Sequence, residues 1–146
     1  MTKSQDELFF QFYAKNFKLR ITDLHQGIVW RQNTKETKIH PNLINRFDYD
    51  SDYGTVLNRF IIQAANDVPM TVYGTGDQTR AFIHIENSMD CMCLAIANPP
   101  EIGDRPLIFN QTTEQRSLNY IVNIIQSTYP ESTIEAIQNP RKRTIS

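Results

Sequence analysis

The stretch Val72-Tyr73-Gly74-Thr75-Gly76-Asp77-Gln78-Thr79-Arg80-Ala81-Phe82-Ile83-His84 constrains this chain more than any other. Two β-type runs flank a turn with closely spaced glycines, and an arginine opens the second run. Glycine adopts the positive φ of a tight turn without the steric cost that a Cβ brings. The expected structure is a hairpin. A guanidinium held on a hairpin presents a planar fork, which suits a phosphate or carboxylate better than a mobile ammonium does.

Around this stretch, apolar residues recur at helical spacing in four segments. Leu8, Phe9, Phe12 and Tyr13 predict an amphipathic helix with an aromatic face from Ser4 to about Asn16, with a capping box at Ser4 to Glu7. Val56, Leu57, Phe60, Ile61 and Ala64 predict a second helix opening at Gly54 and closed by Asn66 and Pro69. Met89, Met92, Cys93 and Ile96 form the expected buried stripe of a third, Asn87 to Asn98, ended by Pro99-Pro100. Ser117 caps a fourth, with Leu118, Ile121, Val122 and Ile125 facing inward. Lys18 to Leu24 and Leu107 to Gln111 read as strands, with Gln26 to Trp30 an extended segment after a turn. Helices alternating with strands predict an α/β layer. The long polar connection 31–53 carries alternating Asp48, Asp50 and Asp52. A calcium loop would need glycine where Tyr53 stands and a bidentate glutamate where Arg59 stands, so a solvated acidic loop is expected.

The chain of 146 residues has a formal net charge of -1, which suits one soluble domain and excludes a global field for nucleic acid or an anionic membrane. Any bound anion must be held locally. Cys91 and Cys93 point to different sides of a helix and are expected as buried, reduced thiols. No segment resembles a signal peptide or a membrane span, and a cytoplasmic location is expected. His25, His40 and His84 lack metal-ligand spacing, so no metal site is expected. There is no nucleophile elbow, and Gly74-x-Gly76 does not lie between a strand and a helix as a dinucleotide fingerprint would. Local spacing alone yields an α/β domain of unstated function.

Several stretches taken together resemble the C-terminal half of the extended short-chain dehydrogenase/reductases, the NAD-dependent epimerase/dehydratase family acting on nucleotide sugars. Val72-Tyr73-Gly74-x-Gly76-x-Gln78-x-Arg80-x-Phe82-Ile83 is similar to the family's substrate-binding hairpin. Thr22-Asp23-Leu24-His25-Gln26-Gly27-Ile28-Val29, Asn45-Arg46-Phe47-Asp48-Tyr49-Asp50 and Gly54-Thr55-Val56-Leu57-Asn58-Arg59-Phe60 resemble motifs of its UDP-sulfoquinovose synthase branch. So do Phe109-Asn110-Gln111-x-Thr113-Glu114-Gln115 and Asn139-Pro140-Arg141. Ala81, where most of the wider family has aspartate, fits that branch. His25 for asparagine and Trp30 for tyrosine depart from it.

The resemblance implies the C-terminal part of an extended Rossmann-type fold, mainly its nucleotide-sugar-binding domain. Residues 1–30 would end the NAD-binding core and 31–146 would be mostly substrate region, with 107–111 returning to the core sheet. Lys3 matches the family's catalytic lysine and would hold the nicotinamide ribose; the paired tyrosine would lie upstream of Met1. An exposed terminal lysine is the plain alternative. Gln26 would line the cofactor and sugar pocket, and Thr55 and Val56 would approach the nucleotide through backbone. Val72, Tyr73, Gln78 and Asn110 would be nearby contacts, and Arg80 with Arg141 would neutralise the UDP diphosphate. The family reaction converts UDP-glucose and sulfite through NAD-dependent oxidation at C4. Without the tyrosine and the glycine-rich NAD motif, no turnover is expected from this chain alone. The implied partners are a UDP-sugar and a separately encoded N-terminal half or a second copy. The alternatives are a non-catalytic nucleotide-sugar-binding or interaction module, or another NAD-dependent nucleotide-sugar epimerase/dehydratase.

Overall fold

The computed structural model describes residues 3–44, 46–50 and 54–138, with the Lys3 side chain excluded. Asp52 and Tyr53 of the acidic loop, and Pro140 with the basic tail Arg141-Lys142-Arg143, lie outside the described residues. Helix α1 (Lys3–Phe17) leads into β1 (Thr22–Gln26) and β2 (Ile28–Trp30). After a 3-10 turn at Pro41–Leu43 come α2 (Val56–Ala65), β3 (Met70–Tyr73), β4 (Thr79–His84) and α3 (Ile85–Ala97). The described chain then adds β5 (Leu107–Gln111), β6 (Glu114–Ser117), α4 (Leu118–Thr128) and β7 (Ile134–Ile137). The class is mixed α/β, built largely on parallel strand pairs.

Three separate sheets organise the strands among the described residues. β1 pairs with β5 and β3 with β7, both parallel. β4 lies between β2, parallel to it, and β6, antiparallel. The expected hairpin is therefore corrected: β3 and β4 do not pair with each other, and the glycine turn carries the chain from one sheet to another. The turn geometry itself is as anticipated, with Gly74 at φ 69 and Gly76 at φ 79. Gly27 makes a second such transfer. Its N–H ends the β1–β5 ladder on the Gln111 carbonyl at 2.9 Å, and a Cβ there would fall 2.7 Å from the Ala81 carbonyl oxygen. Only glycine lets the backbone pass so close.

The core lies where α2 and α4 cover the strands. Phe60 and Ala64 from α2, Met70 and Val72 from β3, Phe82 from β4, and Leu118, Ile121, Val122 and Ile125 from α4 form one buried cluster. Burying a side chain such as Phe60 contributes about 1.5–3 kcal/mol. Both helices begin on side-chain caps: Thr55 accepts from the Asn58 N–H at 3.3 Å and Ser117 from the Tyr120 N–H at 3.2 Å.

The other two helices depart from expectation. On α3 the stripe Met89, Met92, Cys93 and Ile96 is exposed, Ile96 to 80%, and the buried residue is Ser88. The face toward the strands is chosen by Ser88, which bonds Gln26 at 2.6 Å, rather than by the larger apolar residues. The thiols are likewise not both buried, since Cys91 is half-buried and Cys93 exposed. On α1, Leu8, Phe9, Phe12, Tyr13 and Phe17 are all exposed, and Ala14 is the buried residue. The aromatic rings pack on one another instead, Phe12 against Tyr13 at 5.7 Å and Tyr13 against Phe17 at 5.4 Å. Helix α1 already includes Lys3, so Ser4 is inside the helix rather than its cap. Lys18 takes φ 58 and the first strand starts only at Thr22. Among the described residues no helix is long and apolar enough to cross a membrane.

Candidate functional site

The site is built on one face of the β2–β4–β6 sheet. In the antiparallel β4–β6 ladder Arg80 stands opposite Arg116 and Phe82 opposite Glu114. Side chains alternate faces along a strand, so residues 80, 82, 114 and 116 share one face. Phe82, Glu114 and Arg116 line a cavity of about 200 Å³ with Trp30, Leu57 and Tyr120. A neighbouring cavity of about 190 Å³ is lined by Trp30, Arg31, Arg46, Thr55 and Asn58. Trp30 is common to both, so the two cavities lie on either side of one shared wall residue.

The residues singled out from sequence are spread over several places in the fold. Thr55 and Val56 begin α2, with Thr55 at the second cavity; the Thr55 hydroxyl is spent on the cap, and Val56 packs against the core. Arg80 is exposed at the start of β4, donates to the Thr79 carbonyl at 2.9 Å, and has no carboxylate partner among the described residues. Val72, Tyr73 and Gln78 hold the turn. Gln78 donates its side-chain amide to the Tyr73 carbonyl at 2.7 Å, while the Val72 side chain is core, 3% exposed. Gln26 and Asn110 belong to the β1–β5 ladder instead. The Gln26 amide donates to the Ser88 hydroxyl at 2.6 Å and to Gln111 Oε1 at 3.0 Å. Asn110 lines a separate cavity of about 530 Å³ with Leu24, Asn87, Cys91 and Phe109. Lys3 opens α1, its side chain not described, and Arg141 lies outside the described residues.

The structure adds residues that spacing did not point to. Arg59 donates to the Thr71 carbonyl at 3.2 Å and places its guanidinium 5.0 Å from the Tyr73 ring centre. Arg31, at φ 75, donates to His84 Nε2 at 3.0 Å, and the His84 ring meets Trp30 edge-on at 4.9 Å. The Glu86 N–H points at His84 Nδ1, 3.2 Å away. A neutral imidazole has one acceptor nitrogen, so only one of these two donors is met at a time. Trp30 lies in a segment that the sequence marks as extended, but its place beside β4 and the partners of Arg31 and Arg59 depend on strand register.

The fold also brings together Glu7 of α1 with Asp23 and His25 of β1, whose ligand atoms lie within 4.8 Å of one another. Sequence spacing had suggested no metal set, because these residues are distant in the chain. His25 Nε2 is 2.9 Å from Asp23 and 3.7 Å from Glu7, and His25 is exposed, so the group is a surface cluster of polar side chains to which no metal is assigned.

Comparison with known proteins gives the geometry its family. Residues 37–110, just over half the chain, match the NAD dependent epimerase/dehydratase family. The chloroplastic UDP-sulfoquinovose synthase of Spinacia oleracea is 45% identical over 125 residues, which is 86% of this chain and 26% of that protein. The UDP-sulfoquinovose synthase of Sulfolobus acidocaldarius is 35% identical over 144 residues, 96% of this chain and 36% of that protein. The chain thus spans about a quarter to a third of the length of these relatives. The crystal structure of UDP-glucuronic acid 4-epimerase from Bacillus cereus, in complex with UDP-glucuronic acid and NAD, matches with a TM-score of 0.72 at 23% identity, covering 94% of this chain and 38% of that one. With a Rossmann-type fold and motifs similar to those of the UDP-sulfoquinovose synthases, this chain belongs to the NAD-dependent epimerase/dehydratase family.

Proposed function

We propose that this chain is the UDP-sugar-binding part of a UDP-sulfoquinovose synthase-like enzyme. The observation that carries the reading is the 45% identity over 125 residues to the synthase of Spinacia oleracea; Thr55, Val56, Arg80 and Asn110 stand in the stretches of this sequence that resemble the family's motifs. The local geometry supports it: an exposed guanidinium without a carboxylate partner among the described residues shares a sheet face with Phe82, Glu114 and Arg116, which line a cavity together with Leu57 of α2. Arg80 grips the diphosphate, and the α2 start lies against the nucleotide. In the same reading, residues 1–30 and 107–111 belong to the NAD-binding core and the rest of 31–146 to the nucleotide-sugar region. A cytoplasmic location fits the free thiols.

NAD is the family's cofactor, and it supplies the hydride chemistry when bound. The described residues do not fit it on their own. Gly74 and Gly76 turn between two strands rather than opening a helix onto a pyrophosphate, and both Gln26 amide N–H groups are taken by Ser88 and Gln111. In this reading the chain alone is inactive: it binds and orients a sugar nucleotide and carries out no chemical step on it. A second reading, a non-catalytic module that works by associating with another chain, is favoured by the exposed aromatic face of α1. Its partner would be a separately encoded N-terminal half or a second copy.

Thermal-shift titration with UDP-glucose tests the proposal. Ligand at a hundred times its Kd stabilises a folded site by ~2.7 kcal/mol, a readily measured shift. The expected result is a shift for the wild-type chain that Arg80→Ala abolishes, with no product from UDP-glucose, sulfite and NAD in the same sample. Absence of any shift at saturating ligand would favour the second reading, and product formation would refute the inactivity.

A further inference from the structure

We infer that Arg116 is a second guanidinium of the anion site, so that a diphosphate is held by a cross-strand pair of arginines, Arg80 and Arg116, resting on the reading of Arg80 as the diphosphate contact. The two are directly opposed in the β4–β6 ladder. Opposed residues of an antiparallel pair leave the sheet on the same side with Cβ atoms roughly 4.5–5.5 Å apart, and like charges so placed repel. The repulsion is only partly met within the protein. Glu114 Oε2 lies 3.2 Å from Arg116 Nη2, while Arg80 has no carboxylate among the described residues. Three side chains on one face thus leave one positive charge uncompensated, which an anion between the two forks removes.

Arg116 is braced for that role in a way an ordinary surface arginine is not. Its guanidinium stacks 4.8 Å from the Tyr120 ring centre, and one N–H reaches the Gln115 carbonyl at 3.3 Å. Its Nε–H is buried with no acceptor, at the wall of the cavity shared with Trp30, Leu57 and Tyr120. A fork fixed in place before binding loses less side-chain freedom when it engages a ligand. Two guanidinium groups rooted at opposed positions on one sheet face match two linked phosphoryl groups, each offering paired oxygens, better than a single carboxylate or monophosphate. Arg116 also stands one residue beyond the Phe109 to Gln115 motif, so its role is assigned from register and not carried over from relatives.

Calorimetric titration of the purified chain with UDP and with uridine, at low and high salt, tests the pair. Arg116→Gln is expected to weaken UDP binding at least tenfold and leave uridine binding unchanged, and high salt should narrow the difference. Arg116→Met keeps the apolar stem on Tyr120 while removing the charge, and should behave alike if the Gln variant melts early in ligand-free thermal scans. UDP affinity unchanged in a folded Arg116 variant, while Arg80→Gln loses it, would overturn the inference and leave the parent reading standing. Failure of the wild-type chain to bind UDP or UDP-glucose at all would overturn both.

Discussion

Gly76 joins the turn to the helix that follows the site. Its carbonyl accepts from the Asn119 N–H at 3.0 Å, and the Asn119 side-chain amide donates to the Thr75 carbonyl at 3.0 Å and to Asp77 Oδ1 at 3.1 Å. A Cβ on Gly76 would collide with the Asn119 side chain, and φ 79 is costly for any L-residue. Gly76→Ala is expected to destabilise the chain by about 1–2 kcal/mol from backbone strain alone. Urea denaturation checks this, and an unchanged midpoint would mean the turn relaxes freely. The need for glycine at this position was legible in the sequence, because positive φ is a local property. The placement of Arg116 was not, because it depends on which residue of a distant strand lies opposite.

At the scale of elements, α2 and α4 were readable because each carries a full apolar stripe behind a side-chain cap, and both stripes enter the core. β6 and β7 were not anticipated. Glu114-Gln115-Arg116-Ser117 has no apolar residue, and Ile134 to Ile137 is mostly exposed; each is a strand because a partner offers it hydrogen bonds. The α3 stripe was misread for a related reason. Periodicity finds an apolar face but does not say that a neighbour will cover it, and Met89 and Met92 remain exposed. The same holds for α1, with Phe12 53% exposed. Contiguous apolar surface of this kind drives association. Phe9→Lys with Phe12→Lys is expected to lower the apparent mass in light scattering after size exclusion and to reduce binding of an apolar dye. A wild-type chain that elutes as a monomer and binds no dye would show that this face is harmless in water.

For the whole molecule, the absence of a β3–β4 hairpin matters beyond the site. Thr22 meets Leu107, Ile28 meets Phe82, Met70 meets Ile134, and even the ladder nearest in sequence, Phe82 with Glu114, spans all of α3 and β5. No ladder among the described residues can be nucleated by a short turn. Each must close a long loop first, which places refolding after dilution from denaturant in roughly the millisecond-to-second range. Stopped-flow fluorescence of the single tryptophan, Trp30, reports it directly, and microsecond recovery would contradict it. During that interval the rings of α1 and the methionines of α3 meet other chains before the strands find their partners. Recovery of folded protein should therefore fall as concentration rises: a sheet without neighbouring-strand turns makes this chain dependent on dilution, or on a companion, while it folds.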